Sequence, residues 1–368
     1  MNHIIKSLII GLMTAYLSQP SLAEDQDNLQ LAPKIPSGLT SGRLMKLDTE
    51  LGYHPPKPIH RSPPIYPIRQ RKKTQEGMVV VKFMVDEEGK VFEPIVIEST
   101  HSAFEGPALD AVLKYQYEAA HIDGKPLKSV TSIRLVFSMQ DSEDAAGRKF
   151  ISIYKKADKG MNAENPDQQE LRSDLDRLAN AKYLTNYGLA YLSMLEYRYA
   201  TKFLSKQEQL KSLRKLLLFQ NRIEKDRQFL DEAAIHSIRM NILQLLIELG
   251  YYGEARSNFY WLNKEIPSAA EPFNDAMTQV REILSGDDAI MRSVELSDRG
   301  YEYHDLTKRN FEIDVVEGGI EKLNFYCTRS FGTMAFSPDS SYRVPESWGA
   351  CDLLVVGRPK TKAKLYQF

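Results

Sequence analysis

A regular alternation of apolar and polar residues between Pro63 and Met139 constrains the fold of this chain more than any other feature. Alternate residues of a β-strand point to opposite faces of a sheet. One face of the first predicted strand carries four apolar side chains, those of Val79, Val81, Phe83 and Val85. Asp86-Glu87-Glu88-Gly89 predicts a tight turn, since glycine readily adopts positive φ. The apolar residues of the return strand are Val91, Ile95 and Ile97.

The rest of this segment predicts one helix and a third strand. The apolar residues at helical spacing are Phe104, Ala108, Ala111, Val112 and Tyr115. The turn Asp123-Gly124-Lys125-Pro126 precedes a strand in which Ile133, Leu135, Phe137 and Met139 alternate with other residues. A ββαβ unit of this size is marginally stable alone. We therefore expect its second face or its edge to contact a partner.

This pattern resembles the C-terminal domain of TonB-family energy transducers, a periplasmic module that binds outer-membrane receptors. The residues that carry the resemblance are Tyr66-Pro67, Glu76-Gly77-x-Val79-x-Val81-x-Phe83, Val85-Asp86-x2-Gly89-x-Val91, Ala108-x2-Ala111 and Asp123-Gly124-Lys125-Pro126. Two positions differ from the family. Tyr115-Gln116-Tyr117 replaces the usual Trp-x-Phe at the end of the helix, and Ala119-Ala120 replaces the proline that usually follows.

The resemblance implies a binding mechanism. In this family the last strand of the sheet accepts a short extended peptide of the receptor, the TonB box, as an added strand. The corresponding edge residues here are Thr131, Ile133, Leu135 and Phe137, and Tyr66 is a neighbouring side chain that would select the peptide. A proline at position 133 is expected to remove one backbone donor from this edge.

The first 23 residues predict an export signal. Lys6 precedes the short apolar run Leu8–Leu17, and Ser21-x-Ala23 offers small residues for cleavage before Glu24. The predicted location is therefore the periplasm. The alternative is an uncleaved anchor that holds the protein in the inner membrane, facing the periplasm. Only the anchored form would couple to an inner-membrane motor.

The composition excludes several classes of partner and chemistry. The formal net charge is −1, with 48 basic and 49 acidic residues, so no broad attraction to nucleic acid is expected. The seven histidines do not occur at the spacings of a zinc site. No glycine-rich phosphate loop follows a predicted strand. The sequence therefore predicts no catalytic residues, no metal site and no cofactor.

Residues 168–285 predict a helical region with two hairpins that resemble tetratricopeptide repeats. The first comprises Leu184-x3-Gly188-x2-Tyr191 followed by Tyr197-x2-Ala200-x3-Leu204. The second comprises Gly250-x-Tyr252-x2-Ala255-x3-Phe259-x2-Leu262-x4-Pro267. A small alanine allows two helices to approach closely. Packed helix pairs of this kind usually offer a surface to proteins or peptides.

The last segment, residues 286–368, predicts a small β-domain. The two cysteines of the chain, Cys327 and Cys351, are expected to form a disulfide if the protein is exported. The alternatives are two free thiols or half of a metal site.

These patterns predict a multidomain α+β protein. The segments are a signal peptide (1–23), a polar, proline-rich and unpaired linker (24–60), a TonB C-terminal-like domain (61–140), a linker (141–167), the helical domain (168–285) and the β-domain (286–368). The predicted function is a periplasmic protein of TonB-dependent transport that binds outer-membrane receptors or other envelope proteins. The alternative is a scaffold or assembly protein that binds partners through the helices around Tyr191 and Tyr252, without energy transduction.

Overall fold

A computed structural model describes residues 52–139, 146–219 and 230–368. The predicted export signal and most of the first predicted linker lie outside these residues. Within the described ranges, no helix combines the length and the apolar character that crossing a bilayer requires.

The predicted ββαβ unit forms a three-stranded antiparallel sheet in the order β4-β3-β8. The first elements of the chain are β1 (Tyr53–His54), β2 (Lys57–His60), α1 (Ile68–Lys73), β3 (Gly77–Val85), β4 (Val91–Ser99), α2 (Glu105–Val112), β5 (Gln116–Glu118), β6 (Ala120–Ile122), β7 (Lys125–Leu127) and β8 (Ser129–Phe137). Helix α2 packs on the face formed by the odd-numbered residues of β3.

Two glycines of this unit have steric reasons to be glycine. Gly89 has φ +79° in the β3–β4 turn, and a Cβ atom there would lie 1.8 Å from the Tyr117 carbonyl oxygen. A Cβ atom at Gly77 would lie 2.4 Å from the ring of Phe104. The turn at Gly89 is therefore the turn that the sequence predicts.

The second face of the sheet is covered by two other parts of the same chain. Met78 and Val80 of β3, with Val136 of β8, pack into the core of the helical region. Met84 of β3 packs instead with Tyr326 and other residues of the C-terminal domain. The partner that a small sheet requires is thus intramolecular on this face.

A polar network joins the sheet to the C-terminal domain. Lys82 of β3 forms an ion pair with Asp352, with 2.9 Å between Nζ and Oδ2. The Tyr303 hydroxyl donates to the same carboxylate oxygen, and the Lys82 ammonium lies 3.9 Å from the centre of the Tyr303 ring. These groups satisfy one another in a partly buried interface, which favours a single docking geometry.

Both predicted linkers contain regular structure. β1 pairs with β6 and β2 pairs with β5, so the end of the 24–60 segment is extended but not unpaired. Residues 148–161, inside the predicted 141–167 linker, form helix α3 (Arg148–Met161). Phe150, Ile153 and Ala157 of α3 are buried in the helical core, because they share one face of the helix.

The helical region consists of consecutive helices whose neighbours pack against one another. After α3 they are α4 (Gln168–Ala179), α5 (Asn186–Phe203), α6 (Lys206–Leu217), α7 (Glu232–Glu248), α8 (Tyr252–Glu265), α9 (Pro267–Ala270) and α10 (Asn274–Ser285). The first predicted hairpin is wrong, because residues of both halves, from Gly188 to Ala200, lie on the single helix α5. The second predicted set lies on α8 and at its ends, with Gly250 in the turn after α7.

The C-terminal domain contains two four-stranded antiparallel sheets with a shared apolar core. Its strands are β9 (Ile290–Glu295), β10 (Tyr301–Asp305), β11 (Asn310–Glu317), β12 (Ile320–Cys327), β13 (Phe331–Ala335), β14 (Ser341–Arg343), β15 (Cys351–Gly357) and β16 (Lys362–Gln367). The sheet orders are β10-β15-β12-β13 and β14-β11-β16-β9. The predicted disulfide is confirmed, and it joins directly opposite residues of β12 and β15.

Removing this disulfide is expected to destabilise the C-terminal domain. Cys327→Ala/Cys351→Ala opens a loop with a sequence separation of 24 residues. The chain-entropy model gives about 3.5 kcal/mol for a loop of this length. Chemical denaturation under oxidising conditions measures the difference from the unmodified protein. An equal free energy of unfolding for the two proteins would contradict the expectation.

Candidate functional site: the free edge of strand β8

Strand β8 is an edge of the three-stranded sheet β4-β3-β8. Its one strand partner among the described residues is β3, in continuous register from Gly77 opposite Phe137 to Val85 opposite Ser129. An edge strand leaves the N–H and C=O groups of alternate residues directed away from the sheet. These groups are the candidate binding site.

The contacts of β3 and β4 show which residues of β8 direct their backbone outward. The Met78 carbonyl of β3 accepts a hydrogen bond from the Thr100 N–H (3.0 Å), and the Met78 N–H donates to Thr100 Oγ1 (2.9 Å). Thr100 directly follows β4. The Met78 backbone therefore points away from β8. The odd-numbered residues of β3 point toward β8, since the direction alternates along a strand.

The opposite side of the sheet gives the same result. Val96 of β4 lies opposite Val81, and its carbonyl accepts a hydrogen bond from the Tyr301 hydroxyl at 2.9 Å. The Val96 carbonyl thus points outward, so Val81 does not use its backbone to bond Val96. Val81 instead bonds its partner on β8, Ile133.

The residues of β8 whose backbone groups point to the free edge are consequently Val130, Ser132, Arg134 and Val136. The predicted residues Thr131, Ile133, Leu135 and Phe137 lie on the same strand, but their backbone groups face β3. The expectation that a proline at position 133 removes an edge donor is therefore wrong. The alternation of apolar residues could not reveal this parity, because it reports the direction of side chains and not of hydrogen bonds.

Three of the four predicted side chains on β8, those of Ile133, Leu135 and Phe137, lie on the side of the sheet that α2 covers. Leu135 and Phe137 are 4% and 2% exposed and belong to the core of the sheet, and Ile133 packs against that core. These three side chains pack into the core behind the strand. The exposed side chain on the strand is that of Ser132, which the sequence pattern did not single out.

Tyr66 lies at the end of β8. Its ring makes edge contacts with Phe104 and Phe137, each with 5.8 Å between ring centres. Its hydroxyl donates to the Gln75 carbonyl at 2.6 Å. Burial and the nearby Glu76 carboxylate raise the pKa of Tyr66 above its usual range. The structure thus fixes Tyr66 as a neutral donor beside the strand end.

A buried carboxylate fixes the same end of β8 to the helical region. Glu76 is 3% exposed, and its two oxygens accept the backbone N–H groups of Met139 and Asn186, both at 2.8 Å. Asn186 is the first residue of α5, so the carboxylate also lies at a helix N-terminus, which favours negative charge. Further along β8, the Arg134 guanidinium donates to the Leu218 carbonyl just after α6.

The other edge strand, β4, differs from β8. Two of its carbonyls, those of Val96 and Glu93, accept the hydroxyls of Tyr301 and Tyr326 of the C-terminal domain. No described residue makes a comparable hydrogen bond to the outward backbone groups of Val130, Ser132, Arg134 or Val136. The two edges are therefore not equivalent binding sites.

The junction of the three domains contains a carboxylate that titrates near neutral pH. Burial raises the pKa of Glu98 on β4 to about 7. The negative charge of Glu302 on β10 also raises this pKa, whereas the nearby cations Arg214, Lys211 and Arg299 lower it. The described residues include no cluster of three or more metal-ligating side chains.

The raised pKa of Glu98 predicts the direction of the pH dependence of stability. The folded protein disfavours the ionised form, so the stabilising contribution is complete below the ordinary pKa of 4.5 and is lost as the pH rises to about 7. Glu98→Gln should therefore stabilise the protein at pH 8 by on the order of 3 kcal/mol and flatten this part of the pH profile. Denaturation at several pH values measures both effects, with the exposed Glu88→Gln as control. Identical dependence of stability on pH in Glu98→Gln and the unmodified protein would contradict this prediction.

Comparisons with known proteins identify the sheet domain. Residues 62–139 match the family model described as Gram-negative bacterial TonB protein C-terminal. Protein TonB of Pseudomonas aeruginosa is 30% identical over 110 residues, which are 29% of this chain and 30% of that protein. The solution NMR structure of the Pseudomonas aeruginosa TonB CTD aligns with 24% of this chain and 90% of its own, at 22% identity and a TM-score of 0.20. The resemblance predicted from the sequence is confirmed for this domain. The chain spans less than a third of the curated relative's length.

Proposed function

We propose, with the TonB C-terminal domain at residues 62–139 as the premise, that this protein binds envelope proteins by adding an extended peptide to the free edge of β8. The observation that carries the proposal is the row of outward backbone groups at Val130, Ser132, Arg134 and Val136. Such a row pairs with any extended chain through main-chain hydrogen bonds.

The architecture supports binding at a prepared edge. The sheet is fixed from behind by α2, on its second face by the helical and C-terminal domains, and at one end by Glu76. A strand held in this way loses little conformational freedom when it pairs, so the entropic cost falls mainly on the peptide. Specificity would come from the side chains beside the edge, among them the exposed hydroxyl of Ser132.

The proposed partners are outer-membrane receptors of TonB-dependent transport or other envelope proteins, and the proposed location is the periplasm. Transmission of force from an inner-membrane motor is proposed only for a form that keeps residues 1–23 as an anchor. N-terminal sequencing of the protein isolated from envelope fractions distinguishes the cleaved from the anchored form.

Hydrogen exchange of the whole protein tests the proposal. Peptides from the periplasmic segments of TonB-dependent receptors are titrated into the protein, and amide exchange is followed by NMR. Slower exchange confined to Ser132, Arg134 and their outward neighbours is expected, with unchanged exchange at Ile133, which already bonds β3. Binding with no change at these amides would refute edge pairing.

The alternative scaffold function loses the residues on which it was based. Tyr191 and Tyr252 are 5% and 6% exposed and are part of the helical core. Tyr191 contacts Tyr154 and Tyr187 within the bundle. Because both side chains are buried in this core, they do not support a binding surface.

A further inference from the structure

The segment that leads into the sheet is strongly basic in a chain whose total charge is close to zero. Between Gly52 and Gln75 there is no acidic residue, whereas the whole chain has a net charge of −1. The basic residues of this segment are Lys57, Arg61, Arg69, Arg71, Lys72 and Lys73, and all six are exposed. Lys57 lies opposite Glu118 in the β2–β5 pair. Four of the six basic residues, Arg69, Arg71, Lys72 and Lys73, lie on α1.

Helix α1 presents this charge in a fixed orientation. Its sequence is IRQRKK, and its one buried residue, Gln70, faces the protein. No described acidic side chain forms an ion pair with Arg69, Arg71, Lys72 or Lys73. Three of the four lie in the last turn, where cations are favoured by the helix dipole. The helix dipole explains why basic residues are preferred in the last turn. It does not explain why no acidic side chain pairs with them among the described residues.

Exposed apolar side chains accompany the charge. Ile65 and Ile68 are 78% and 67% exposed on either side of the inward-facing Tyr66 and of Pro67. Tyr183, 63% exposed, lies beside the end of α1 because its N–H donates to the Lys73 carbonyl at 2.9 Å. We call the group Ile65, Ile68, Arg69, Arg71, Lys72, Lys73 and Tyr183 the basic–apolar surface.

Tyr66 anchors the apolar part of this surface to the sheet. Tyr66 contacts Phe104 and Phe137, and its hydroxyl bonds the Gln75 carbonyl, so the residues on both sides of it are held with their side chains outward. The folded protein therefore keeps two isoleucines exposed to water, which is energetically unfavourable.

We propose that the basic–apolar surface binds an anionic lipid bilayer. Arginine and lysine side chains are attracted to anionic headgroups. Isoleucine and tyrosine beside them match the apolar and interfacial layers of the bilayer. We favour a bilayer over an acidic protein because Ile65 and Ile68, 78% and 67% exposed, lie directly beside the basic residues, as in segments that bind the membrane interface.

Membrane contact at this surface would orient the proposed peptide site. Tyr66 lies at the Phe137 end of β8, so the bilayer would lie at this end of the strand. The nine residues of β8 would extend the free edge about 25 Å away from it. The lipid proposal is independent of peptide binding, and either can fail alone.

Vesicle cosedimentation tests the lipid proposal. The protein without residues 1–23 keeps every described residue and avoids the apolar N-terminal run. It should bind vesicles that contain phosphatidylglycerol and not vesicles of phosphatidylcholine alone. Arg69→Gln/Arg71→Gln/Lys72→Gln/Lys73→Gln should weaken binding about 100-fold or more, and Ile65→Ser/Ile68→Ser about 10-fold.

A matched variant controls for net charge. Arg148, Lys149, Lys155 and Lys159 of α3 are also exposed and helical, so their replacement by Gln changes the total charge equally. This variant should retain binding within about threefold. An equal loss in both charge variants, or equal binding to neutral vesicles, would overturn the proposal. The proposal would also be overturned if the protein did not bind vesicles at all. The same holds if Arg69→Gln/Arg71→Gln/Lys72→Gln/Lys73→Gln weakened peptide binding and left vesicle binding unchanged.

Discussion

Ser132→Pro is expected to abolish most peptide binding while leaving the protein folded. The Ser132 N–H points to the free edge, so proline removes a donor that an added strand would use and places its ring in the path of that strand. Loss of one such bond with its steric penalty should weaken the affinity tenfold or more. The fold tolerates the change because proline is acceptable in an edge strand where its nitrogen faces solvent.

Ile133→Pro is the matched control at the adjacent position. The Ile133 N–H bonds β3, so the same substitution breaks the sheet internally and should cost about 3 kcal/mol or more. Peptide titration and chemical denaturation of both variants separate the two effects. Normal peptide binding by a folded Ser132→Pro protein would exclude edge pairing. A destabilised Ser132→Pro beside a stable Ile133→Pro would show that the assignment of outward residues is reversed.

Glu76→Ala is expected to destabilise the protein by about 3 kcal/mol. The substitution leaves the buried N–H of Asn186 and the partly buried N–H of Met139 without the carboxylate that they share. Each unsatisfied buried donor costs about 1–3 kcal/mol. The end of β8 and the start of α5 should both loosen, which hydrogen exchange at these two amides would detect.

Two further variants define the origin of this effect. Glu76→Gln keeps one acceptor oxygen and should show an intermediate loss of stability, whereas the exposed Glu88→Ala should be close to neutral. Denaturation curves of the three variants measure the order. If Glu76→Ala were as stable as Glu88→Ala, the carboxylate would not be a structural link between the sheet and the helices.

The strands and the turn of the sheet domain were predictable because neighbouring residues in the sequence specify them. The alternation from Val79 to Val85 reports a strand with one buried face, and Gly89 marks a turn that needs positive φ. The family resemblance rested on these positions. The pairing of Cys327 with Cys351 was equally accessible, since the chain contains no other cysteine.

The predictions from sequence were wrong where one sequence pattern is compatible with several structures. The residues from Leu184 to Leu204 have helical spacing whether they form one helix or two, and α5 is continuous because no glycine or proline interrupts it after Gly188. Helix α3 was missed because the charged segment around it resembles a linker. Its four buried positions acquire meaning only against the neighbouring helices.

The amino-acid sequence alone determined the identity of the sheet domain, its strands and its turn, because neighbouring residues carry that information. Tertiary structure decided which backbone groups of β8 are available, since the pairing of β3 fixes the direction of every N–H on its partner. It also decided that the second face of the sheet is covered by the chain itself and that Glu76 joins two domains. These features depend on contacts between residues far apart in the chain, for which no local periodicity exists.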